Sequence, residues 1–363
     1  MNEILQIQGV LGKESSAIVE SVKCLRILLA RKTMVCSRRL TKEEAIDEFA
    51  HLTRLDHSHI VRVIGTYTFG RELSILMYPV AEYNLEDVLH KFAFNAKEKK
   101  RKDMVENMAN SALGYFACLS NALDHIHHKL IKHMDIKPQN ILVRAIIAPS
   151  RELRTREYKV YLTDFGSSRS YQNPEDVETD RLTSFTRKYA APEVVRRELH
   201  GFPADVFSLG CVFLEILAYL YDYFGKDTIL TSARSDIKEI LATNADGSST
   251  YCANTARLEQ YLISNGWTMF FRQHTSLFRS LPPDMVLLIQ QMLSHDPKLR
   301  PTAKKLVAQF GLSLCCISGR ETLKAMSNEQ QDTMPEAVVV VNPIDLAEAG
   351  AWSQSYYGSG YPV

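Results

Sequence analysis

Three side chains that can handle charge stand close together: an acid at Asp135, a lysine at Lys137 and an amide at Asn140. They lie in the stretch His133-Met134-Asp135-Ile136-Lys137-Pro138-Gln139-Asn140, with apolar residues on either side. Asp164-Phe165-Gly166 begins 24 residues after Asn140, and Ala191-Pro192-Glu193 comes later. A carboxylate can accept a proton, and an ammonium can offset negative charge on a migrating group. Carboxylate and amide oxygens together suit a hard divalent cation. The set fits chemistry in which negative charge moves.

Taken in order, the three motifs resemble the catalytic loop, the metal-binding Asp-Phe-Gly and the Ala-Pro-Glu of the eukaryotic protein kinase family. The resemblance implies that Asp135 accepts the proton of an acceptor hydroxyl and that Lys137 offsets charge on the transferred group. Asn140 and Asp164 would hold Mg²⁺ against the phosphates of ATP. Phosphoryl transfer passes through a loose transition state, so the protein contributes positioning and charge stabilisation. Thr186, in Thr186-Arg187-Lys188-Tyr189, matches the threonine that contacts the catalytic acid and lysine in serine/threonine kinases. Glu193 is expected to pair with Arg300 in a buried bridge.

Such residues need elements to carry them. Residues 4–10 and 17–22 are apolar at alternate positions, and 27–30 is a short apolar run. Thr41-Lys42-Glu43-Glu44 reads as a capping box, followed by Ala45, Phe49, Leu52 and Leu55 near helical spacing. Residues 60–64 and 73–77 read as two more strands. This order resembles the small lobe of a kinase. Ala30-Arg31-Lys32 matches the Val-Ala-Ile-Lys motif, so the resemblance directs Lys32 to the α- and β-phosphates, with Glu48 its partner on the helix. Gly-x-Gly-x-x-Gly-x-Val aligns with residues 12–19 and keeps only Gly12 and Val19. Weaker nucleotide binding than is usual for the family is therefore expected. Met77 would be the gatekeeper, and backbone groups around Tyr78 and Val80 would bond adenine, since Pro79 has no N–H. Val19, Ala30 and Leu142 would sandwich the base.

The implied fold is α+β and bilobal: a small, mainly antiparallel β lobe with one main helix over 1–79, and a larger, mainly helical lobe over 80–312. A polar tail, 313–363, is expected to be mostly disordered, with a weak docking segment at 337–341. In the large lobe, 84–90 begins the chain's passage and the basic run 97–102 reads as a solvated connection. Residues 112–128 read as one long helix, and 144–159 as a surface insertion between strands 141–143 and 160–162. The cluster Asp124-His125-Ile126-His127-His128 does not have metal-ligand spacing. Residues 206–224 are almost wholly apolar, but Glu215 near the centre favours a buried core helix over a membrane span.

The chain has 363 residues, 45% hydrophobic and 23% charged, which fits a globular protein of two lobes. A net charge of +1 gives no reason to expect a nucleic acid or a membrane surface as partner. Seven cysteines without regular spacing fit a reducing, intracellular compartment, cytoplasmic or nuclear, and residues 1–9 do not read as a signal peptide. Cys315-Cys316 has no second ligand pair, so zinc is not expected. Protein substrates with Ser or Thr acceptors follow from the resemblance; oligomeric state does not.

Two departures bear on regulation. Met134 stands where most of the family has an arginine that receives an activation-loop phosphate. Phosphorylation of Thr179, Thr183 or Ser184 is thus not expected to switch the protein by that route. Gln139 replaces an acid that some kinases use to read arginine in substrates. A pseudokinase scaffold is the competing reading, favoured by the degenerate loop and Met134. A small-molecule phosphotransferase is disfavoured by Ala191-Pro192-Glu193 and Asp205, which in the resemblance build the peptide-binding side.

Overall fold

The computed structural model describes residues 5–13, 17–35, 55–91, 99–147, 156–179, 185–225, 232–243, 248–278 and 280–311. Glu48 with the helix expected around it, Thr183, Ser184, Cys315-Cys316, the docking segment and the rest of the tail lie outside these residues. The described residues divide into two compact units, one reaching from the N-terminal strands to residue 80 without His57–Ile60, the other holding His57–Ile60 and 81–311.

The first unit is a five-stranded antiparallel sheet of β1 (Leu5–Lys13), β2 (Ala17–Cys24), β3 (Ile27–Val35), β4 (Arg62–Phe69) and β5 (Glu72–Tyr78), in the order β1-β2-β3-β5-β4. Alternating and β-branched residues favour these strands because a pleated surface suits them. Leu5, Val22, Leu29 and Tyr67 form a buried cluster. On the same sheet Arg31 reaches across to Glu20 at 2.6 Å and donates to the Tyr67 hydroxyl at 3.2 Å. The fourth strand begins two residues later than expected and runs on to Phe69. Ile60 instead makes an isolated parallel bridge to Leu162 in the second unit.

The second unit is mainly helical. Its centre is α4 (Phe202–Phe224), which follows β6 (Tyr83–Asn84), α1 (Lys99–Ala112), α2 (Tyr115–His128), β7 (Ile131–Lys132), β8 (Ile141–Ile147), β9 (Arg156–Leu162), β10 (Arg169–Ser170) and α3 (Pro192–Val195). Helix α4 is apolar on every face, the pattern of a helix enclosed by protein. It is long and apolar enough to cross a membrane, yet 94% of its 18-residue window is buried inside the fold. At Gly210 an added Cβ would lie 2.8 Å from Met292 Cβ, so a neighbouring helix touches α4 backbone to side chain there. Phe116 of α2 packs edge-on to Phe213 of α4 at 4.9 Å and stacks on Phe310 at 5.5 Å.

Three expectations need correction. Residues 112–128 are not one helix: α1 ends at Ala112, Gly114 donates back to Ser111 O at 3.0 Å, and α2 starts at Tyr115. Glycine is a poor helix former, and here it marks the break. The described part of the basic run, Lys99, Lys100, Arg101 and Lys102, forms the first turn of α1 rather than a connection. The insertion at 144–159 is shorter than expected, since β8 and β9 pair continuously from Ile141↔Leu162 to Ile147↔Arg156.

Candidate active site

The second unit assembles Asp135, Lys137, Asn140 and Thr186 by a short chain of contacts. Lys137 Nζ donates to Asp135 Oδ2 at 2.7 Å and to Thr186 Oγ1 at 2.6 Å. The Thr186 N–H donates to the other carboxylate oxygen, Asp135 Oδ1, at 3.0 Å. Asn140 Nδ2 donates to Asp135 O at 2.9 Å and to Oδ2 at 3.0 Å. Both carboxylate oxygens are thereby held by donors from residues 2, 5 and 51 positions away. Donors of this kind fix the direction of the carboxylate.

The surrounding elements explain this placement. Pairing of Ile141 with Leu162 puts the ends of β8 and β9 side by side, and Thr163 N donates to Asn140 O at 3.0 Å. Asp164 therefore begins next to Asn140. Its φ is +61°, a left-handed backbone uncommon for a residue with a side chain. Pro138–Asn140 is a 3₁₀ turn, opened by a proline whose missing N–H costs nothing at that position.

A second group fixes the loop from beneath. Asp205, 1% exposed at the start of α4, accepts from His133 N at 2.8 Å (Oδ2), Met134 N at 2.8 Å (Oδ1) and His127 Nε2 at 3.0 Å. Burial alone would raise its pKa, but the His127 bond and the neighbouring imidazoles outweigh it and hold the carboxyl below its usual range. Met134, held through its N–H, adopts φ +68°. His133 packs on the Phe165 ring at 4.7 Å and bonds Thr163 O at 3.0 Å, while burial pushes its pKa down. Asp205 was expected on the peptide-binding side; it anchors the backbone of the loop instead. The sequence reading also missed His133 and Phe165 as supports, although both lie inside the motifs it quoted.

The expected pairing of Glu193 with Arg300 is present, and two further contacts accompany it. Arg300 meets Glu193 through two parallel bonds of 2.6 and 2.8 Å, with the arginine side chain fully buried. Gln139 donates to Glu86 at 2.7 Å. Leu142, half-buried in β8, pairs with Tyr161 and with Asn84.

The residues matched to nucleotide binding in the first unit share one face of its sheet. Gly12 pairs with Val19, Val19 with Lys32, Lys32 with Ile75, and Ala30 with Met77. Cross-strand partners and alternate residues point the same way, so Val19, Ala30, Lys32, Ile75 and Met77 lie on a common side. Tyr78 is 39% exposed and Val80 half-buried just past β5. A Cβ on Gly12 would meet nothing within 4 Å, so internal packing does not demand glycine there and space remains for a ligand.

The donor set suits the expected metal. Asn140 spends its amide nitrogen on Asp135, which leaves its oxygen as the ligand atom, and Asp164 supplies a carboxylate. Magnesium takes a few protein oxygens and completes its shell with phosphate and water.

The model of the protein kinase domain matches residues 5–310. The chain belongs to the protein kinase family. The chain is 26% identical over 263 residues to cell division control protein 2 homolog 3 of Trypanosoma brucei brucei, covering 72% of this chain and 75% of that protein. It is 29% identical over 262 residues to homolog 2 of the same organism, covering 71% and 67%. With GLH-binding kinase 1 of Caenorhabditis elegans it shares 28% over 201 residues, 52% of this chain and 44% of that protein, so the match spans under half of that relative.

Proposed function

We propose that the protein is a serine/threonine protein kinase that transfers the γ-phosphoryl group of ATP to protein hydroxyls. The observation that carries this reading is the network in which Thr186 touches both Asp135 and Lys137. Asp135, held by three donors, takes the proton of the acceptor hydroxyl as the oxygen attacks. Lys137 lies 2.7 Å from that carboxylate and offsets charge on the transferred oxygens. Asn140 and Asp164 hold Mg²⁺, which when bound neutralises charge on the phosphates. The resemblance assigns Lys32 to the α- and β-phosphates with Glu48 as its partner, and Gly12, Val19, Ala30, Met77, Tyr78, Val80 and Leu142 to nucleotide binding. Its partners are protein substrates, and its place is intracellular.

A scaffold without turnover is the second reading, favoured by Met134 and by a loop that keeps one glycine of three. Incubation with labelled ATP, Mg²⁺ and generic protein acceptors separates the two, with Asp135→Asn as control. The kinase labels serine and threonine, and the variant loses on the order of 10²–10⁴ in turnover, the share of a general base. Nucleotide binding with no labelling above the control would overturn the kinase reading.

A further inference from the structure

Lys132 is 1% exposed, although lysines ordinarily keep the ammonium in water. Its Nζ donates to Val177 O at 2.8 Å and to His200 O at 3.0 Å, and lies 4.9 Å from the centroid of the Tyr171 ring. Two carbonyls and an aromatic face account for its three donors. Both hydrogen-bond acceptors are backbone. Asp205 and Glu178 attract the ammonium and Arg169 repels it, all through space, and burial lowers its pKa to about 8. An apolar side chain would fill the position without that cost.

The partners explain why a cation is useful there. Val177 ends a 3₁₀ turn over Pro174–Val177, and Thr179 and His200 exchange backbone bonds of 3.2 and 3.1 Å. Arg169 and Ser170 pair with Lys132 and Ile131, and Tyr171 N donates to Leu130 O at 3.0 Å. The ammonium thus joins β7, the segment at 171–179 and the approach to α4. Three residues past Lys132 is Asp135, which accepts from Thr186 N, seven positions beyond Thr179 in the chain. Met134, at the position where the resemblance places a phosphate-binding arginine, cannot bind an anion.

We propose that Lys132 is a positioning residue that holds residues 171–179 in place by a buried charge, so that Thr186 reaches Asp135 without phosphorylation of the segment. This rests on the kinase reading for its consequence, but the holding itself can be measured without turnover. Hydrogen exchange is followed in the full chain and in Lys132→Met, Lys132→Gln and Lys132→Arg. In the Met and Gln variants, amides at 171–179 and 200 exchange at least about tenfold faster, while α4 keeps its protection. Arg, which can donate to two carbonyls, restores most of it. Unchanged exchange at 171–179 would overturn the proposal. So would loss of protection throughout the second unit in both variants, which makes Lys132 a general core residue.

Turnover is read beside exchange. Phosphatase-treated wild type retains its kcat, and Lys132→Met lowers kcat more than about tenfold with KM for ATP within about twofold. Loss of kcat on dephosphorylation would refute the second half of the proposal. If wild type labels no acceptor, the kinase reading falls, and the exchange data alone judge Lys132.

Discussion

At the scale of residues, paired charges decide whether a buried group supports the fold or weakens it. Arg300 and Glu193 meet in two parallel bonds, and the guanidinium also donates to Ser294 O at 2.8 Å. Removing one partner strands the other away from water. Arg300→Met should therefore cost about 3–5 kcal/mol in denaturant unfolding. The double variant Arg300→Met/Glu193→Gln should recover part of that loss, since neither group is then charged. A loss below about 1 kcal/mol for the single variant, the range of exposed pairs, would contradict the argument. Of the residues in the site, Asp135, Lys137, Asn140 and Thr186 were legible because their types and spacing match a known loop. Asp205 was visible too, but its task was not, because backbone donors at His133 and Met134 leave no mark in side-chain type.

At the scale of elements, α4 combines a close contact and a buried acid. Glu215, 6% exposed, accepts through Oε1 from Tyr251 Oη at 2.7 Å, Tyr189 Oη at 3.0 Å and Lys188 Nζ at 3.1 Å, with His90 Nε2 3.5 Å from Oε2. Burial would raise its pKa, but His90, Lys188 and the Tyr251 hydroxyl bring it down from 4.5 to about 2. A carboxyl depressed on folding adds stability above its unfolded pKa, lost as pH falls through the folded one. Wild type should lose about 3 kcal/mol between pH 4.5 and 2 that Glu215→Gln does not lose. Parallel stability curves for the two proteins across that window would refute it. Gly210→Ala tests the close contact. The new Cβ falls 2.8 Å from Met292 Cβ, an atom bonded directly to the backbone rather than a flexible tip, so the helices must part. Overpacking of this kind costs about 1–3 kcal/mol in denaturant unfolding, and an unchanged midpoint would show the contact to be loose. The apolar run with Glu215 near its centre announced α4 as buried, yet neither contact could be read from it, because residues distant in the chain make both. The break between α1 and α2 was missed for the opposite reason: the apolar spacing of 112–128 runs on through a local interruption.

At the scale of the whole molecule, the family and its two-part organisation were legible from ordered motifs, while the burial of Lys132 was not. A lysine beside a catalytic loop reads as a surface group until its carbonyl partners, 45 and 68 residues away, are known. The glycine-rich motif is one place where the sequence departs from the family's pattern. Only Gly12 survives of three glycines that elsewhere bring backbone amides close to phosphate, and Glu14 adds a negative charge to the same stretch. Repulsion between carboxylate and phosphate weakens binding, and Mg²⁺, by neutralising phosphate charge, reduces that repulsion. Titration of ATP with Mg²⁺ should give a Kd weaker than about 10 μM, and weaker still without the metal. Glu14→Gly should tighten binding by about tenfold, or ~1.4 kcal/mol, by removing the charge and freeing the backbone. Binding near about 1 μM in wild type would mean that neighbouring residues compensate for the missing glycines. An unchanged Kd in Glu14→Gly would show that the acid does not act on the phosphates.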